Sequence, residues 1–162
     1  MDQKENEKLD GQYLSFNLGD ERYAVAVSSV EVVLEMAAIT RVPRCPPHLR
    51  GVINHRGSVV PVVDLRAVFG REPTKLEAGS AVIVTQVEYE GEFLTAGVLA
   101  DEVQEVLDLD DSDIERAPSF GSRIDGSFVK GIGRHGEGFV ILLDLEKALS
   151  GTVSGDSSGR PE

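Results

Sequence analysis

The stretch Leu49–Gly70, LRGVINHRGSVVPVVDLRAVFG, sets the pattern for the whole chain. Val52 and Ile53 close one apolar run and Val59–Val63 form the next, each of a length that suits a short strand. Between them lies Asn54-His55-Arg56-Gly57, a loop of turn formers. Asn and Gly both tolerate positive φ, so a tight hairpin can close there. Asp64 suits a helix N-cap, Leu65, Val68 and Phe69 follow at helical spacing, and Gly70 ends the helix. The reading is strand, turn, strand, short helix, with Arg56 at a loop tip on a rigid scaffold, where recognition residues are often found.

The pattern recurs eighty positions later, without a gap, in KGIGRHGEGFVILLDLEKALSG from Lys130. Gly51 falls on Gly131, His55 on His135, Val60 on Val140, Asp64 on Asp144 and Leu65 on Leu145. Two copies imply a duplicated unit rather than a solenoid. The preceding segments echo each other at an offset of seventy-three: Val25 falls on Val98, Val30 on Val103, Val33 on Val106 and Leu34 on Leu107.

Working outward, residues 1–11 are polar and expected to be disordered. Tyr13–Leu18 alternates as a half-buried strand, Gly19-Asp20-Glu21 turns, and Arg22–Val27 returns. Val30, Val33 and Leu34 lie on one face of a short helix, or of a helix running into a strand. Pro43, Pro46 and Pro47 make residues 39–47 extended and irregular. Pro61 cannot donate to a ladder, so its strand needs a free or bulged side there. Residues 71–80 read as a linker, Ala81–Val87 and Phe93–Ala100 as a second hairpin, Asp108–Gly126 as an irregular loop, and 151–162 as a flexible tail.

Many short strands with close turns suit small β-barrels rather than a parallel α/β sheet. The expected fold is mainly β: two small barrels with short helices, packed side by side about a partly apolar groove. Subdomain one is expected over about 20–70 and subdomain two over about 80–145, with the ends crossing over.

The chain has 162 residues, one cysteine and a formal net charge of -12. No apolar run approaches the roughly 20 residues that span a bilayer, and Met1–Gly11 lacks the apolar core of a signal peptide. Cys45 alone excludes an internal disulfide, and these features together favour the cytoplasm. The basic residues read as scattered, while acidic ones cluster at Asp108, Asp110, Asp111, Asp113 and Glu115, which argues against nucleic-acid and anionic-membrane binding. The acidic cluster itself reads as a solvated loop.

The catalytic inventory is thin. Cys45 and His48 have C-x-x-H spacing, but no second Cys/His cluster completes a zinc site, so no metal and no cofactor are expected. His55 and His135 read as exposed turn residues. Gly131-x-Gly133-x-x-Gly136 matches a dinucleotide fingerprint in letters but lies in a hairpin. A hydrolase using Asp64 or Asp144 with a histidine is a second reading, disfavoured because both aspartates sit where helix caps belong. What remains is a scaffold with apolar faces and one loop arginine, which supports a binding module over an enzyme.

The central motif, N-x-R-G followed by VVPVVDLR, closely resembles the signature of the CheW family of bacterial chemotaxis coupling proteins. FNLGDERYAVAVSSVEVVL, GVLADEVQEVLDL and GIGRHGEGFVILLDLEKAL resemble the rest of that domain in order, so the resemblance covers about residues 12–150. It implies two SH3-like five-stranded β-barrels around a shared core and no catalytic activity. It implies an adaptor, monomeric when free, that bridges chemoreceptor cytoplasmic tips to the regulatory domain of the histidine kinase CheA and is recruited from the cytoplasm to receptor arrays. By position, Asn54, His55, Arg56 and Gly57 map to the receptor- or kinase-coupling loop, and Leu14, Val27, Val30, Val33, Val98 and Leu99 to the receptor-binding groove. Within the family the alternative is an adaptor for a chemosensory pathway other than motility. No stretch resembles a histidine-kinase ATP site or a receiver domain, so a stand-alone coupler is expected. The sequence departs from the family pattern at His55, where leucine is common, and at Val32, where glutamate is common and this chain has Glu31 one residue earlier.

Overall fold

The structure is a computed structural model that describes residues 9–35, 38–77, 79–116 and 128–149. The strands are β1 (Gly11–Leu18), β2 (Glu21–Ala26), β3 (Val30–Glu35), β4 (Leu49–His55), β5 (Ser58–Val63), β6 (Ala81–Tyr89), β7 (Glu92–Ala100), β8 (Glu102–Leu109), β9 (Ile114–Arg116), β10 (Val129–His135) and β11 (Gly138–Leu143). Helix α1 is Leu65–Val68, and residues 145–149 form its counterpart α2. No helix among the described residues is long and apolar enough to cross a membrane. The tail over 151–162 lies outside the described residues; at the other end Leu9 is buried, and its carbonyl accepts from the Tyr13 hydroxyl at 2.6 Å.

The strands form a five-stranded sheet, β3-β6-β7-β5-β4, and a six-stranded one, β8-β1-β2-β11-β10-β9, whose sixth member is the three-residue β9. Each contains one parallel pair at an equivalent place: Val62 beside Gly97 in β5 and β7, and Leu142 beside Ala24 in β11 and β2. The sheets cut the chain differently from the expected halves at about 20–70 and 80–145. Hairpin β6–β7 of the second repeat completes the sheet of β3, β4 and β5, and hairpin β1–β2 of the first repeat completes the sheet of β8, β10 and β11. The exchange shows in the parallel pairs: β7 lies beside β5, and β2 beside β11.

Burial follows this exchange. One apolar cluster (Ile53, Val60, Val62, Val82, Val84, Leu99) lies within the first sheet, and a second (Tyr13, Ala24, Leu107, Leu109, Val140, Leu142) within the other. The largest draws on both sheets and both helices, from Phe16, Leu18 and Tyr23 to Val63, Val98, Leu143 and Leu149. The two units therefore share a core.

Three sequence readings change. The helical spacing of Val30, Val33 and Leu34 belongs to a 3₁₀ turn at Val27–Ser29 followed by strand β3. A bulge between Val30 and Val32 adds one residue, so Val30 and Val33 face the same core although three apart. The same bulge recurs in β8, where Leu14 and Phe16 of β1 face Val106 and Val103. The irregular loop begins later than Asp108: β8 reaches Leu109, and a 3₁₀ turn at Asp111–Asp113 leads into β9. The segment read as a linker is anchored at Thr74, which is buried against Asp64.

Candidate functional site

The Asn54–Gly57 loop closes as a two-residue hairpin between His55 and Ser58. Arg56 has φ 56° and Gly57 φ 81°, the type I′ arrangement whose twist matches the strands it joins. The Asn54 side-chain oxygen accepts from the Gly57 N–H at 2.9 Å and locks the turn. This leaves the Arg56 side chain exposed at the tip.

His55 is the last residue of β4, not part of the exposed turn. Its Nε2 lies 3.8 Å from Glu31 Oε1 on β3. Because β3 and β4 are the opposite ends of their sheet, this contact joins the two margins of the curled unit. His135 repeats the arrangement, with Nε2 3.3 Å from Glu105 Oε2 on β8, and Glu105 also pairs with Arg22 at 3.0 Å. Both departures from the family pattern thus meet in one place: His55 faces the Glu31 supplied by the bulged strand.

Asp64 behaves as a cap and a hub. It is fully buried, accepting from the Arg66 N–H at 3.1 Å, the Thr74 N–H at 2.9 Å, the Thr74 hydroxyl at 3.1 Å and the Arg50 guanidinium at 2.9 Å. Asp144 caps α2 through the Lys147 N–H at 3.2 Å. The four donors on Asp64 occupy the acceptor sites of its two oxygens. Among the described residues no group of three or more His, Cys, Asp or Glu is placed to hold a metal ion.

The expected groove residues divide. Leu14, Val98 and Leu99 are core side chains, at 8%, 0% and 1% exposure, and Leu99 faces the interior of the first sheet rather than the shared core. They offer no surface to a partner. Val27, Val30 and Val33 remain partly exposed along the margin of the shared core, and Val103 joins them as the repeat's counterpart of Val30. Missing from the sequence reading are Val59, 73% exposed, and its counterpart Phe139, 64% exposed, each one residue past the hairpin turn. Both sit in apolar runs that read as strand interior. The only signal in the sequence is their position beside the turn, where an alternating strand has not yet entered the sheet's covered part.

A family model for the CheW-like domain matches residues 12–153. The chain is 32% identical over 144 residues to the chemotaxis protein CheW of Klebsiella aerogenes, covering 89% of this chain and 84% of that protein. It is 32% identical over 145 residues to the probable chemotaxis protein CheW of Rhizobium etli, covering 90% and 91%. The crystal structure of the scaffolding protein TtCheW from Thermoanaerobacter tengcongensis matches with a TM-score of 0.76 at 30% identity, over 87% of this chain and 93% of that one. The duplicated, hairpin-exchanged pair of curled sheets and the extent of these matches together make this chain a member of the CheW-like family of non-catalytic chemotaxis scaffold proteins.

Proposed function

We propose that the chain couples the cytoplasmic tips of chemoreceptors to the regulatory domain of the histidine kinase CheA, as a passive bridge recruited to receptor arrays at the membrane. The observation that carries the reading is the Arg56 hairpin. Its backbone is locked by Asn54, and its side chain is exposed and forms no ion pair among the described residues. Arginine forks onto carboxylates and stacks on apolar surface, which makes it a frequent anchor in interfaces. Val59 beside it adds an apolar contact. Val27, Val30 and Val33 supply a separate apolar margin suited to a second partner, so the two contacts need not compete.

Reconstituted receptor-dependent kinase activity tests this directly. Wild-type protein is expected to restore receptor control of the kinase, and Arg56→Ala to reduce it at least tenfold with unchanged thermal unfolding. Full control by a folded Arg56→Ala protein would remove the hairpin from the coupling surface.

A further inference from the structure

The basic residues are not evenly spread. From Met36 to Val63 the sequence holds four arginines and two histidines and no acidic residue, in a chain with 28 acidic residues. Three of those arginines, Arg41, Arg44 and Arg50, gather at the start of β4, at the opposite end of that strand from Arg56. Seven residues of strand separate the two places by about 20 Å.

There the chain forms a hollow of about 530 Å³, whose walls include Val42, Pro43, Pro46 and Pro47. A second hollow of about 270 Å³, bordered by Ile39 and Leu76, shares Arg41 and Arg50 with the first. The two hollows adjoin at these arginines. The lining is tied down: the Leu49 N–H donates to the Pro46 carbonyl at 3.0 Å, and Thr40, between Ile39 and Arg41 in the chain, exchanges two backbone hydrogen bonds of 2.8 Å with Val52. The prolines hold φ and present no N–H, so the wall is preformed.

The arginines differ in availability. Arg50 is neutralised, its guanidinium 2.9 Å from Asp64 and 2.6 Å from the Thr74 carbonyl. Arg41 and Arg44 are exposed, and neither forms an ion pair among the described residues. Two free cations beside adjoining, largely apolar hollows select for carboxylates spaced along an extended chain. On a protein with a net charge of -12, this is a place where an acidic ligand meets attraction instead of repulsion.

We propose that these hollows are a docking site for an extended acidic peptide segment of another protein, one that places aliphatic or proline side chains between its carboxylates. A nucleic acid fits poorly, because no aromatic ring lines either hollow for a base to stack on. The acidic stretch Asp108–Glu115 of a second copy also fits poorly, since its neighbouring Leu107 and Leu109 are buried and cannot enter the hollows.

Selection of random twelve-residue peptides displayed on phage against the full chain provides the test. The expected outcome is enrichment of Asp and Glu flanking Leu, Ile, Val or Pro. The best such peptide, fluorescently labelled, is expected to lose at least tenfold in affinity for the Arg41→Glu/Arg44→Glu variant, to weaken with added salt, and to bind Arg56→Ala as it binds wild type. If the reversed-charge variant unfolds, Arg41→Gln/Arg44→Gln carries the same comparison with a smaller loss. Failure to enrich any acidic sequence overturns the proposal, and so does equal affinity for the variant. A loss confined to Arg56→Ala assigns the peptide to the hairpin and overturns it as well, whereas failure of receptor–kinase coupling alone leaves the peptide result unaffected.

Discussion

The role proposed for Arg56 separates what folding needs from what recognition needs. A side chain at φ 56° carries a left-handed backbone cost of about 1–2 kcal/mol that glycine avoids. Glycine in turn loses about 0.5–1 kcal/mol of unfolded-state freedom. Arg56→Gly is therefore expected to change stability by less than about 1 kcal/mol in urea unfolding, while it abolishes coupling to the kinase. A large stability change would assign the arginine to folding instead. Asp64 is the opposite case. Removing it strands Arg50 and two Thr74 donors, so Asp64→Ala is expected to cost about 3–5 kcal/mol in chemical denaturation. Both residues are legible in the sequence because their roles are local: a turn flanked by Asn and Gly, and an acid just ahead of a helix. The groove residues Leu14, Val98 and Leu99 are not. An apolar letter says that a side chain avoids water, but not whether its own core or a partner covers it.

At the scale of elements, Gly51 and Gly131 explain why the repeat keeps its glycines. A Cβ on Gly51 would lie 2.2 Å from the Thr40 carbonyl oxygen, and one on Gly131 would lie 2.6 Å from that of Glu115. Each glycine lets a neighbouring strand cross its backbone closely: Thr40 beside Val52, and β9 beside β10. Gly51 also has φ 144°. Gly51→Ala should lower stability by about 3 kcal/mol or more, read as the shift in urea midpoint at constant slope. A change under about 1 kcal/mol would mean that the crossing segment moves aside freely. The hairpins were readable from turn chemistry, but β3 and β8 were not. One bulged residue sets Val30 and Val33 three apart on one face, and Leu34 follows on the other, also apolar, face, so the letters imitate a helix. Only the pairing partner tells the two apart, and that partner is some fifty residues away in β6 for β3.

For the whole molecule, the exchanged hairpins make the two units interdependent. Self-similarity in the sequence shows which segments are alike, not which pair, so the exchange is invisible until the sheets are seen. Side chains reinforce it: the Tyr23 hydroxyl of β2 donates to Glu21, which pairs with Arg71 beyond α1 at 2.7 Å, and Phe16, Tyr23, Phe69 and Phe128 form a chain of ring contacts between the units. Burial, and then the Glu21 carboxylate that accepts a hydrogen bond from its hydroxyl, hold the Tyr23 pKa far above that of a free phenol. A folded-state pKa raised in this way contributes stability that is complete below about pH 10 and is lost as pH climbs past it. The wild type is therefore expected to lose stability above about pH 10 more steeply than Tyr23→Phe, measured by denaturant midpoints across the alkaline range. Parallel curves for the two would contradict that assignment.

The proposed bridge requires one small scaffold to hold two partners on separate surfaces. The most direct measurement is calorimetric titration of the purified protein with a CheA regulatory domain, with a receptor-tip fragment, and with each in the presence of the other. The predicted result is saturable binding of both at once, each with nearly the affinity it shows alone. Mutual exclusion, or binding of only one, would contradict the bridging role.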